Sequence, residues 1–181
     1  MQIPYTQCCF FGWGRVVPSE TLMDKLRELL EKLITKHNIK YFNFGSRSDF
    51  DDIAHAVVTR LKARYRQIER VGYPLNREMP VIASLKEETE RALRILDERF
   101  LAVKDFDHLI NFRPPLPNNG TANELRNRRM IDNSQICIFF CQDREATSQD
   151  MFETRRQNKR DYDQAMRYAR IMNKQIIMVQ G

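Results

Sequence analysis

Apolar runs and helical stripes alternate along this chain. "YTQCCFFG" (Tyr5 to Gly12) is an apolar run closed by a glycine and reads as a short buried strand. Pro18 and Ser19 introduce a helix in which Leu22, Leu26, Leu29, Leu30 and Leu33 keep to one side. "IKYFNFG" (Ile39 to Gly45) predicts a second strand and "DFDDIAHAVVTRLKARY" a second helix, striped by Ile53, Val57 and Leu61 with Ala54 beside them. "QIERVGY" (Gln67 to Tyr73) is a less strongly patterned third strand, and from about Ser84 "LKEETERALRIL" predicts a helix with Leu85, Leu93 and Leu96 set among charges.

The stretch from about 104 to 120 is irregular, because "NFRPPLPNNG" holds three of the seven prolines and cannot be helix. Thr121 and Glu124 then have capping-box spacing at the start of "TANELRNRRMIDN". "SQICIFFCQ" is the clearest strand. The polar segment from about 142 to 158 reads as a surface excursion, "DYDQAMRYARIMNK" as the last helix and "QIIMV" as the last strand. Alternating strands and helices over residues 1–181 predict one α/β domain, a mainly parallel sheet of about five strands with helices on both faces. Ligands of such sheets sit beyond the carboxyl ends of the strands, where the strand order reverses. Three unusual loops fall at such ends: "FGWGR", "GSRSDFD" and "CQD".

Composition narrows this picture modestly. With 42% hydrophobic and 30% charged residues over 181 positions, a core without staples is expected. No apolar run nears the roughly 18 residues of a membrane span, and no secretory signal is visible, so the expected compartment is the cytoplasm. Cys8, Cys9, Cys137 and Cys141 have neither metal-finger spacing nor nearby histidines; reduced thiols and no metal are expected. The net charge of +6 concentrates in "RNRR" and "ETRRQNKR", each near acids, which reads first as solvated helix surface and second as a polyanion contact.

"CCFFG", "FGSRSDFDDIAHAVV", "NRRMIDNSQICIFF" and "YARIMNKQIIMV" together resemble stand-alone bacterial and phage members of the SLOG superfamily. That group unites DNA-processing protein A with the LOG phosphoribohydrolases. The resemblance spans nearly the whole chain in the right order and implies a Rossmann-like fold with a pocket for a nucleotide or a nucleotide derivative. Arg126, four before Met130, matches the arginine of the family's R-x-x-x-M helix, which serves catalysis in the hydrolases. Gly45, Phe50 and Asp51 match a G-x-x-x-x-F-D loop, and Gly12 the glycine that ends the first strand. The hydrolases follow their fourth strand with P-G-G-x-G-T-x-x-E, whereas "FFCQDREATSQDM" has no glycine, and Trp13 stands where a histidine often follows the first glycine. The short members also tend to carry G-T before their last helix, where this chain has "KRDYDQA". These departures argue against hydrolysis of the family type.

The expected binding site therefore comprises Gly12, Trp13, Gly14, Arg15, Gly45, Ser46, Arg47, Asp49, Asp51 and Arg126. Asp51 has capping-box spacing from Ser48, and Asp49 and Asp52 suit the helix dipole. The same three acids disfavour phosphate at this helix start and leave phosphate to Arg15, Arg47 or Arg126. Trp13 reads as a packing residue or a base-stacking one, and His55 as a surface or packing residue rather than a base. The function expected is a non-catalytic nucleotide or NAD-derived-signal binder without a further cofactor. The alternatives are an N-glycosidic hydrolase of nucleoside monophosphates using Arg126 with Asp51, Asp49 or Asp52, and a single-strand DNA-binding module. "MRYARIM" places Met166, Ala169 and Ile171 near Tyr168 and Met172, more apolar area than one stripe needs; this reads either as a wide core-facing stripe or as an exposed surplus, and the second predicts a homodimer or larger.

Overall fold

The computed structural model describes residues 6–14, 16, 18–45, 48–75, 106–110, 121–141 and 151–180, with backbone alone for 141 and 151–158. β1 (Gln7–Trp13), β2 (Tyr41–Phe44), β3 (Glu69–Gly72), β4 (His108–Leu109), β5 (Ile136–Cys141) and β6 (Gln175–Val179) form one sheet. Between them run α1 (Glu20–His37), α2 (Asp49–Arg64), α3 (Ala122–Asp132) and α4 (Met151–Ile171). The strand order is β4-β3-β2-β1-β5-β6 and each neighbouring pair is parallel. The chain winds outward from β1 to β4, then returns to place β5 on the other side of β1. This is the expected Rossmann-like α/β architecture, and its order reverses between β1 and β5.

Side-chain alternation splits the core into two layers. Cys8, Phe10, Phe42, Phe44, Ile138 and Phe140 meet Leu22, Leu26 and Leu30 of α1 and Phe50, Ala54 and Val57 of α2. Cys9, Phe11, Cys137 and Phe139 meet Met130 and Ile131 of α3 and Tyr162, Ala165 and Ala169 of α4. Burial on both faces explains why β1 and β5 read as continuous apolar runs rather than alternating ones. Ring pairs such as Phe10–Phe44 and Phe50–Phe140, each stacked at 5.0 Å between centroids, tie β1, β2, β5 and α2 together.

The helix starts follow the capping chemistry. The hydroxyls of Ser19, Ser48 and Thr121 accept the backbone N–H of Leu22, Asp51 and Glu124 at 3.1, 3.1 and 3.2 Å. The far end of α3 is docked by polar contacts inside the sheet. The Asn43 amide donates to Gln7 and Ser134, and the Ser134 hydroxyl donates to the Met130 carbonyl.

Three sequence expectations change. The sixth strand, β4, lies inside the stretch read as irregular. Two residues carry no periodicity, and β4 is held by Asp107 instead: its carboxylate accepts the Arg70 backbone N–H at 2.7 Å, the Arg70 guanidinium at 3.1 Å and Lys62 Nζ at 2.8 Å. α4 begins at Met151, so the irregular segment extends no further than residue 150 on that side; its first turns carry few apolar residues and so hid their helical period. Ala169 is fully buried, and Met166 and Tyr168 pack half-buried on the same core, so these three supply no surplus surface. The helix expected from Ser84 lies outside the described residues. Among the described residues, no helix is long and apolar enough to cross a membrane.

Candidate functional site

At the carboxyl edge of the sheet, beside the β1–β5 reversal, two glycines decide how closely the elements approach. A Cβ on Gly12 would overlap the Cβ of Phe50 and stand 2.8 Å from the Ser48 hydroxyl. Without one, the first turn of α2 settles directly on β1. A Cβ on Gly45 would overlap the Met130 sulfur and stand 3.2 and 3.3 Å from Cδ and Nε of Arg126. The missing side chain lets Arg126, in the second turn of α3, lie against the backbone where β2 ends. Gly14, just past β1, has φ 86°, a conformation that favours glycine.

The start of α2 completes this edge. Asp49 accepts the Val16 backbone N–H at 3.0 Å and so ties the loop after β1 to the α2 helix. Asp51, its N–H bonded to the Ser48 hydroxyl, is 1% exposed, and His55 one turn later is also 1% exposed. The His55 ring meets Phe44 and Phe106 edge-on, each at 5.1 Å between centroids. Arg126 is 4% exposed. Three ionisable side chains are thus buried near one end of the sheet. Such burial is costly, and it concentrates where proteins bind or transform ligands.

On the other face of β1, Trp13 is half-buried under α4, with Lys159 Nζ 4.9 Å above its ring. Its indole N–H is buried and has no hydrogen-bond partner among the described residues, and the same holds for the side-chain carbonyl of Asn127, next to Arg126 on α3. Buried polar atoms of this kind are rare in folded proteins, and a bound ligand is one way to satisfy them. Lys159 also lines a shallow cavity of about 380 Å³ with Arg160, Asp163, Gln164 and Arg167.

The structure therefore groups Gly12, Trp13, Gly14, Gly45, Asp49, Asp51 and Arg126 at the ends of β1 and β2 and the starts of α2 and α3. Asp49 has a structural duty there, and Trp13 packs rather than standing open. Arg15, Ser46 and Arg47 lie outside the described residues, as does the loop after Cys141. Sequence reasoning missed Asn127 and Lys159; His55, read as a surface or packing residue, is a packing one. The spacing of Asn127, Met130 and Ile131 marks the inward stripe of α3 and was the available signal for the first. Cys8, Cys9 and Cys137 lie buried in the core and offer no nucleophile. Burial pushes the Cys8 and Cys9 thiols well up, and Cys9 Sγ sits 3.5 Å from Cys137 Sγ inside the core.

No family model matches the chain, and no curated protein matches it.

Proposed function

We propose that this protein binds a nucleotide or an NAD-derived nucleotide signal at the carboxyl edge of its sheet, acting as a sensor or sequestering module rather than an enzyme. The observation that carries this reading is the placement of Arg126. It is a buried guanidinium lying on Gly45, at the end of the sheet where its strand order reverses and where α/β proteins of this topology hold their ligands. A guanidinium fork suits phosphate oxygens. Asp51 is the residue suited to ribose hydroxyls. The buried polar atoms of Trp13 and Asn127 add donor and acceptor capacity on the α3–α4 side. The resemblance of the motifs to the SLOG superfamily points to the same ligand class, and the glycine-free segment after β5 supports binding without hydrolysis.

Titration calorimetry against AMP, ADP-ribose, cyclic ADP-ribose isomers and cyclic dinucleotides tests the reading. Binding of at least one is expected; silence across the set at millimolar ligand overturns it. Chromatography of nucleoside monophosphates after overnight incubation tests the non-catalytic part. Base release no greater than that of an Arg126→Ala control is expected, and release well above it would make the protein an N-glycosidic hydrolase.

A further inference from the structure

The two edges of the sheet are built differently. β4 has two residues, an exposed histidine and an exposed leucine, so that edge is short. β6 has five residues, pairs with β5 along one side, and has no strand beyond it among the described residues. Edges are ordinarily blunted by charge, proline or a bulge. "QIIMV" carries neither charge nor proline, and its register against β5 runs without a bulge from Ile136↔Gln175 to Phe140↔Val179. Of the four exposed large hydrophobic side chains in the described residues, three gather here: Ile171 at 68%, Met178 at 50% and Met172 at 42%. Ile171 and Met172 stand at the turn that leads into β6, and Met178 near the strand's other end. Met178 shares its face of the sheet with Ile176, which packs on the α4 side of the core.

The geometry points to a second copy of this chain as the occupant, paired through β6 antiparallel about a two-fold axis at Ile177. In that register Ile177 faces itself, Ile176 faces Met178, and Gln175 faces Val179, so every facing pair is uncharged. Lys174 then falls opposite Gln180, so no like charges meet across the pair. A parallel arrangement would instead set Lys174 beside Lys174 and Met178 beside Met178. Self-complementarity of this kind is what a closed two-fold contact requires. The pairing satisfies the free backbone groups of the edge and joins the two sheets into one. It is independent of what the carboxyl edge binds.

Sedimentation and light scattering of the full chain at micromolar concentration should report about 43 kDa, twice the 21.6 kDa of one chain. Met178→Lys, at a half-exposed position, should halve the mass while the circular dichroism spectrum stays that of the folded protein. Ile177→Cys should form an intermolecular disulfide under mild oxidation, seen on a non-reducing gel and absent from the parent protein. A single-chain mass for the parent protein overturns the inference, as does a dimer that Met178→Lys leaves intact. If Met178→Lys fails to fold, the Ile177→Cys gel decides: a cross-link supports the two-fold register, and its absence refutes it.

Discussion

Replacing Gly12 by alanine adds one methyl group where two elements already touch. The new carbon would overlap the Cβ of Phe50 and crowd the Ser48 hydroxyl at 2.8 Å. Phe50 Cβ is attached to the helix backbone, so no rotamer moves it aside, and its ring is locked on Phe140 and against Phe10. The first turn of α2 must therefore shift. Overpacking of this kind costs about 1–3 kcal/mol. Disturbing the Ser48 cap adds up to about 1 kcal/mol. With a urea slope of roughly 2 kcal/mol per molar for a domain of this size, the unfolding midpoint should fall by about 1 M. Urea titration followed by circular dichroism and by the fluorescence of the one tryptophan, Trp13, reads both the global and the local change. Phe50→Leu in the same chain should not rescue it, because leucine keeps the offending Cβ. A Gly12→Ala midpoint within about 0.2 M of the parent, or rescue by Phe50→Leu, would refute the close approach of α2 to β1 on which the site is built.

Other outcomes follow from the same contacts. Gly45→Ala should leave the fold standing, since the Met130 sulfur and the Arg126 chain can yield, but should displace Arg126 and weaken ligand binding about tenfold or more in calorimetry. Burial pushes the Asp107 carboxyl up, but hydrogen bonds from Arg70 and Lys62 outweigh it and hold the group well below the usual carboxylate range. Its stabilisation is therefore present above an unfolded pKa of about 3.9 and is lost as pH falls below it. Asp107→Asn should cost about 2 kcal/mol at neutral pH and flatten the loss of stability between roughly pH 4 and 2, seen in urea titrations across that range. Cys8, Cys9 and Cys137 should resist alkylation in the native protein and react on unfolding, read by intact-mass spectrometry; fast native labelling would contradict their burial.

Much of this architecture was legible because parallel strands buried on both faces announce themselves. "CCFF" and "ICIFF" became the neighbouring strands β1 and β5, and Ser48 and Thr121 marked the starts of α2 and α3. What stayed hidden was held by tertiary contacts. β4 depends on Asp107 finding Arg70, a pairing 37 positions apart that no local period reveals. The cage around His55 needs Phe106, which sits in a stretch whose prolines spoke only of irregularity. Ala169 looked like spare apolar surface because a helix wheel shows which side is apolar but not how wide the neighbouring core is. At the site, Gly12 and Gly45 were visible as glycines, while the reasons for them (Phe50 against one, Arg126 and Met130 against the other) needed the packing.

The central claim is that a nucleotide-derived ligand binds where Gly45 receives Arg126, at the reversal between β1 and β5. Amide chemical-shift mapping on ¹⁵N-labelled protein during titration with AMP and ADP-ribose tests it most directly. Shifts for at least one ligand should appear at Gly12 to Gly14, Gly45, Ser48 to Asp52 and Arg126 to Asn127, saturate together, and need about tenfold more ligand or beyond in Gly45→Ala. No shifts at saturating ligand, or shifts confined to α1 or to the outer turns of α4, would contradict the account.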